Sequence, residues 1–161
     1  DAAIAGMTIT EERKNSVDFS DSYYDAVQYV ITLPTSKYET ADDLKNTKIG
    51  CQLGTTGEFI ATDIEGATVQ SYDKAVDAVN DLINGRVDLV IIDQNPAQVF
   101  TEKFAGQVVA IEGSKFGFEP EQYAIALPKG SALVEQVNSA LAQLKADGTF
   151  DALVSEYVVA E

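Results

Sequence analysis

The chain has 161 residues and carries 11 Lys plus Arg against 26 Asp plus Glu, with no His, for a net charge of −15. Such an acidic surface repels phosphate backbones and anionic lipid, which argues against nucleic-acid and membrane-surface partners. With no His and the single Cys51, the usual zinc sites, Cys/His or Ser/His/Asp relays and an internal disulfide are excluded. The length suits one ordinary domain or two small lobes with a real core, and no apolar run is long enough to span a bilayer.

Taken in order, Asp1 to Met7 reads as a strand, with Gly6 marking close backbone approach or an unusual dihedral. Thr8 or Thr10 is placed to cap a short helix whose first turn holds Glu11 and Glu12. Arg13 follows one turn in, and by itself reads as a solvated charge. Val17 to Tyr24 reads as a loop ending in two adjacent Tyr. Gln28 to Leu33 is β-branched and strand-like, closed by Pro34.

Ser36 to Asn46 reads as a linker with a short helix, and Lys48 to Leu53 as a strand. That strand runs directly into Gly54-Thr-Thr-Gly-Glu58, after which helical spacing resumes with Phe59, Ile60 and Ile64. A strand, a Gly/Thr turn and a helix start aim backbone N–H groups in one direction, a nest suited to a carboxylate or phosphate. The Lys-Ser/Thr ending and glycine spacing of a P-loop are missing. On this motif alone, an ordinary capped helix is the preferred reading.

Ala67 to Tyr72 is a further strand. Asp73 to Asn84 is an amphipathic helix with Ala75, Val76, Val79, Leu82 and Ile83 on one face and Gly85 as its stop. The unbroken apolar run Leu89 to Ile92 reads as a strand covered on both faces, the central strand of a parallel sheet. It stops at Asp93, just before Asn95-Pro96. Ligands collect beyond the carboxyl ends of strands in open α/β sheets, so an acid there suits a cationic group. An Asp before Pro also caps helices, and from this stretch alone the cap is preferred. A helix from Asn95 to about Phe104, a strand from Gln107 to Ile111, a polar loop to Glu121 and a strand from Gln122 to Leu127 follow. Two helices finish the chain: Val134, Val137, Leu141 and Leu144 share a face of the first, and Phe150, Leu153, Val154 and Tyr157 a face of the second. The order from Lys48 predicts an α/β fold with a largely parallel sheet.

Met7-Thr-Ile-Thr-Glu-Glu-Arg13 and Asp18-Phe-Ser-Asp-Ser-Tyr-Tyr24 resemble signatures of the polar amino acid-binding proteins of ABC importers. This is the glutamine/histidine/arginine-binding family with the type II periplasmic-binding-protein fold. The likeness continues through Ile49 to Glu58, Asn84-Gly-Arg-Val-Asp88, Ile92-Asp93, Tyr123 to Gly130 and Leu144 to Asp151. It implies two lobes joined by two extended hinge strands that close on one free L-amino acid and serve an ABC permease, with no cofactor and no catalytic residue. The implied location is the periplasm, or the cell surface as a lipoprotein whose signal and anchor lie outside this sequence. The implied divisions are 1–34 for part of lobe one and the first hinge strand, 35–121 for lobe two, and 122–161 for the second hinge strand and the C-terminal helices of lobe one.

Residue by residue, the resemblance gives Thr8 and Arg13 the α-carboxylate, with the backbone of Gly6 alongside. Thr55 and Thr56 contact the same ligand end by hydroxyl and helix-start N–H, and Asp93 pairs with the α-ammonium. Gln52 lies where some relatives contact the ligand side chain, a position that varies with specificity, and there the ligand and structural readings are even. A zwitterion needs a planar bidentate cation at one end and an acceptor-only group at the other. In that context the ligand reading is preferred for Arg13 and Asp93.

Family members begin with a strand-helix-strand-helix segment ahead of the part matched here. One complete α/β lobe and an incomplete first lobe are therefore expected, with half the specificity pocket absent and apolar strand edges exposed. Completion by a domain-swapped second copy or a complementing N-terminal fragment is expected, or else loose order in lobe one, together with weak or no amino-acid binding, in any case weaker than micromolar. Two other functions occur on this fold and rank behind. A cyclohexadienyl-dehydratase-like enzyme would need a proton donor, with Glu58 as an unsupported candidate in the absence of His. A ligand-sensing receptor domain is the other.

Overall fold

Apolar runs and helical periodicity set the elements, and pairing partners far along the chain decide which short segments become strands. The computed structural model describes residues 1–158; the last three residues of the expected 122–161 segment lie outside them. In chain order the elements are β1 (Ala3–Thr8), α1 (Glu11–Lys14), β2 (Val17–Phe19), β3 (Tyr24–Ala26), β4 (Gln28–Thr32), β5 (Lys48–Gln52), α2 (Thr56–Asp63), β6 (Thr68–Tyr72), α3 (Ala75–Ile83), β7 (Leu89–Asp93), α4 (Gln94–Lys103), β8 (Val109–Glu112), β9 (Glu121–Pro128), α5 (Val134–Ala146) and α6 (Thr149–Tyr157). Short 3₁₀ turns lie at Ala41–Leu44 and Gly113–Phe116. The chain forms two units, one from Asp1–Ala26 with the stretch from Glu121 onward, the other Val27–Pro120.

The Val27–Pro120 unit is built on a five-stranded sheet in the order β6-β5-β7-β4-β8. The run Leu89 to Ile92 does form the middle strand, and all four residues are buried. Alternation sends Val90 and Ile92 into one core cluster with Val79 and Leu82 of α3, and Leu89 and Ile91 into another with Ile49, Leu44 and Phe116. This is how a sheet sandwiched between two layers satisfies an uninterrupted apolar strand. The sheet is mixed: β5 runs parallel to β6 and β7, whereas β4 runs antiparallel to β7 and β8, so its strands from Lys48 onward share one direction and β4 alone opposes them. The β-α-β series alone sets the parallel part, because each crossover helix returns the chain to the same end. β4 precedes that series and enters from the opposite end.

The other unit is a sheet in which β9 is flanked by β1 and β2, with β3 also pairing to it, all antiparallel. The segment Val17 to Tyr24, expected as a loop, contains β2 and the start of β3. At three residues each, these strands are too short to show alternation, and pairing with β9 creates them. The buried cluster here is small: Ile125, Leu127 and Leu141, joined by Tyr23, Val134 and Val137. Large apolar groups remain at the surface, Ile4 of β1 at 71% exposure and Tyr157 of α6 at 74%.

Candidate functional site

In the β9-centred unit, the expected residues Gly6, Thr8 and Arg13 lie on β1 and α1. Gly6 has φ +58, a left-handed conformation that glycine adopts without strain, while a Cβ there would meet the Tyr123 ring at 3.4 Å, in ordinary contact. Its N–H donates to the Tyr23 hydroxyl at 3.2 Å. Thr10 caps α1, its Oγ accepting from the Arg13 N–H at 3.1 Å. One turn of helix then lets the Arg13 guanidinium fold back, and Nη1 donates to the Thr8 carbonyl at 2.9 Å.

The Thr8 side chain has a partner that sequence reasoning missed. Its Oγ donates to Glu121 Oε2 at 2.6 Å, with both residues buried, Thr8 at 6% and Glu121 at 9% exposure. Glu121 closed the polar loop in the sequence reading. An acid ahead of an apolar strand looks like a solvated charge until the pairing of Thr8 with Tyr123 draws it under β1. A hydroxyl has one proton, so Thr8 Oγ, donating to a carboxylate, offers lone pairs to anything else. Thr8→Val is expected to destabilise the chain by about 1.5–3 kcal/mol, the range for losing a hydrogen bond to a buried charged group. Urea unfolding followed by circular dichroism measures it, and a loss well below 1 kcal/mol would show that the pair contributes little.

In the Val27–Pro120 unit, one end of the sheet gathers the rest. The parallel strands β5 and β7 finish there with Gln52 and Asp93, and antiparallel β4 begins there, Gln28 standing opposite Asp93. Gln28 is buried, and its Nε2 donates to Thr56 Oγ at 3.2 Å. This residue also escaped the sequence reading; a polar residue leading a β-branched run carries no signal of its own. Thr56 is buried at the start of α2, where Gly57 lets the helix press on the sheet: a Cβ there would lie 2.9 Å from the Ile91 carbonyl oxygen. Thr55 Oγ donates to the Gln52 carbonyl at 2.7 Å, and Gln52 Nε2 donates to the Asp73 carbonyl at 3.5 Å. Asp93 caps α4, its Oδ1 accepting from the Asn95 N–H at 3.4 Å. A carboxylate has roughly four lone-pair sites, so this cap is compatible with a cationic partner as well.

The turn Gly54 to Gly57 does not present all its donors outward. Gly54 N–H donates at 2.6 Å to Oε2 of Glu58, whose other oxygen accepts from Ser71 Oγ. The Ser71 hydroxyl first, and the Gly54 N–H second, hold the Glu58 carboxyl below its usual range. Beside them burial pushes the Cys51 thiol up, against the Ser71 hydroxyl, so the one cysteine is an inert core residue. Among the described residues there is no group of three or more His, Cys, Asp or Glu arranged to hold a metal, and no helix long and apolar enough to cross a membrane.

Comparison with known proteins places this geometry. The chain is 33% identical over 165 residues to the L-cystine-binding protein TcyJ of Escherichia coli (strain K12), covering 100% of this chain and 61% of that protein. It thus spans about three fifths of that relative's length. It superimposes on the arginine-, lysine-, histidine-binding protein ArtJ from Geobacillus stearothermophilus with a TM-score of 0.90 and 34% identity, covering 100% of this chain and 71% of that one. It also superimposes on the ancestral amino acid-binding protein AncCDT-1, a precursor of cyclohexadienyl dehydratase, with a TM-score of 0.87 and 34% identity, over 99% of this chain and 69% of that one. The fold is therefore α/β, of the type II periplasmic-binding-protein class. The family model for bacterial extracellular solute-binding proteins, family 3, matches residues 1–160, and the chain belongs to that family.

Proposed function

We propose that the chain is the substrate-recognising part of an ABC importer's binding component, which takes a free polar L-amino acid outside the cytoplasm and delivers it to a membrane permease. Its place is the periplasm or, lipid-anchored, the cell surface. The two units correspond to the family's two lobes. Arg13 takes the α-carboxylate, Asp93 the α-ammonium, and Thr55 and Thr56 contact the carboxylate end, with the Gly6 backbone beside Arg13 and Gln52 toward the ligand side chain. Thr8, its proton committed to Glu121, serves by its hydroxyl lone pairs and so favours the ammonium over the carboxylate. The observation that carries this reading is the supply of complementary groups: a guanidinium held by its own backbone in one unit, and a strand-end acid beside a hydroxyl-rich helix start in the other.

A binding role is also supported over dehydration. Glu58, the acid nearest the turn, accepts two hydrogen bonds and is held ionised below its ordinary range, which makes it a poor proton donor at neutral pH. An ¹H–¹⁵N titration of the chain with L-arginine, L-histidine and L-cystine in turn tests the reading. One of them is expected to give saturable shifts at Thr8 to Arg13, Gln52 to Thr56 and Asp93, with a dissociation constant weaker than micromolar. Arg13→Lys is expected to weaken it about tenfold, because an ammonium cannot match the bidentate fork. Absence of saturable shifts, or shifts elsewhere alone, would overturn it.

Self-association is part of the proposal. Among the described residues β1 pairs only with β9, and Ile4 on it is exposed; an open apolar edge invites a strand from a second copy. Light scattering is expected to read about twice the 17.3 kDa chain mass, and a well-folded monomer would remove this part.

A further inference from the structure

The turn joining β5 to α2 carries three residues proposed above for the ligand, Gln52, Thr55 and Thr56, yet little apolar packing secures its apex. Leu53 is 60% exposed. Gly54 has φ +74, and a Cβ on it would meet no atom within 4 Å. The turn is held by hydrogen bonds instead. Leu53 N–H donates to the Tyr72 carbonyl at 2.9 Å, tying the turn to the end of β6, and Thr55 Oγ closes across it to the Gln52 carbonyl. A further tie comes from the helix itself. Glu58, the third residue of α2, reaches back so that one oxygen accepts from Gly54 N–H at 2.6 Å and the other from Ser71 Oγ on β6.

We propose that Glu58 is a positioning residue for ligand recognition, one that fixes the turn by its hydrogen bonds while its charge opposes the ligand's carboxylate. The inference rests on the reading that this turn contacts an amino acid. As a double acceptor, the side chain bridges turn and strand, so the backbone at Gly54 and Thr55 is ordered before any ligand arrives. Ordering in advance removes a conformational cost from binding. As an anion at the start of α2, it occupies the end of the helix where the peptide dipoles favour negative charge, the same end proposed to receive the α-carboxylate. The two effects have opposite signs and can be separated. Gln keeps an oxygen for Gly54 N–H and an NH₂ that Ser71 Oγ can accept, preserving the bridge without the charge. Ala removes both.

The test uses the 161-residue chain as wild type, Glu58→Gln and Glu58→Ala, with two readouts: amide exchange from Leu53 to Thr56, and ¹H–¹⁵N titration with L-arginine. Glu58→Gln is expected to keep Gly54 N–H protected and to bind as tightly as wild type or up to about threefold tighter, through relief of like charge. Glu58→Ala is expected to raise Gly54 exchange and weaken binding, each about tenfold. Loss of affinity in Glu58→Gln equal to that in Glu58→Ala would overturn the proposal, because a role resting on the charge of Glu58, not on its bridge between Gly54 and Ser71, would produce that pattern. Unchanged Gly54 protection in Glu58→Ala would overturn it too. Should the wild type respond to no amino acid, the functional reading fails, and Gly54 exchange alone still decides whether Glu58 holds the turn.

Discussion

Ile91→Ala is expected to cost the Val27–Pro120 unit about 2–5 kcal/mol, the range for truncating a fully buried aliphatic side chain. Ile91 is at 0% exposure in β7, the middle strand, packed in one cluster with Leu89, Val30, Ile49 and Phe116. Strands lie on both sides and layers on both faces, so the cavity has no loose neighbour to collapse into it, and the upper half of the range applies. Domains are stable by only about 5–15 kcal/mol, so a loss of that size unfolds a visible fraction of the chain. Urea unfolding should show a lower midpoint with an unchanged slope. A loss below about 1 kcal/mol would mean that the site repacks, contrary to the burial described.

Gly113→Ala is expected to be damaging too, for a different reason. A Cβ on Gly113 would overlap the Gln28 carbonyl oxygen and the Phe118 ring. The ring can turn; the carbonyl belongs to β4 and cannot move without the strand. Gly113 also closes its own turn, its carbonyl accepting from Phe118 N–H at 3.0 Å, so it cannot yield outward without breaking that bond. Overpacking of this kind costs typically 1–3 kcal/mol, occasionally more. Because Gln28 donates to Thr56, the strain should reach the end of the sheet that carries Thr56 and Asp93. Thr56 and Gly57 amides are therefore expected to shift in the ¹H–¹⁵N spectrum of Gly113→Ala. A spectrum altered only around residues 113–118 would show that β4 had not moved.

Much of the Val27–Pro120 unit was legible in the sequence, because its elements are long and their spacing local. Leu89 to Ile92 read as a strand covered on both faces, and α3 showed its apolar stripe and its glycine stop. β2, β3 and the antiparallel run of β4 were not legible, since each depends on a partner dozens of residues away. The site divides in the same way. Local chemistry offered Asp93 as a helix cap or as a partner for a cationic group and preferred the cap, which the structure has; only the family resemblance turned the preference toward a ligand. Glu121 and Gln28 escaped because nothing beside them in sequence marks a buried polar residue, and their partners Thr8 and Thr56 are brought to them by strand pairing and helix docking. The anion nest read at Gly54 to Gly57 took no account of Glu58, whose return to Gly54 is a capping-type contact of the third helical residue.

Recognition of both charged ends of one free amino acid is what the proposed role in transport rests on. Titrating the chain with the responding L-amino acid, its α-deaminated acid and its decarboxylated amine measures it most directly. Pairing of Arg13 with the carboxylate and Asp93 with the ammonium predicts saturable shifts for the amino acid and binding at least about tenfold weaker for each analogue, the scale of losing one charge-assisted contact. An analogue that binds as well as the amino acid, or no response to any of the three, would contradict it.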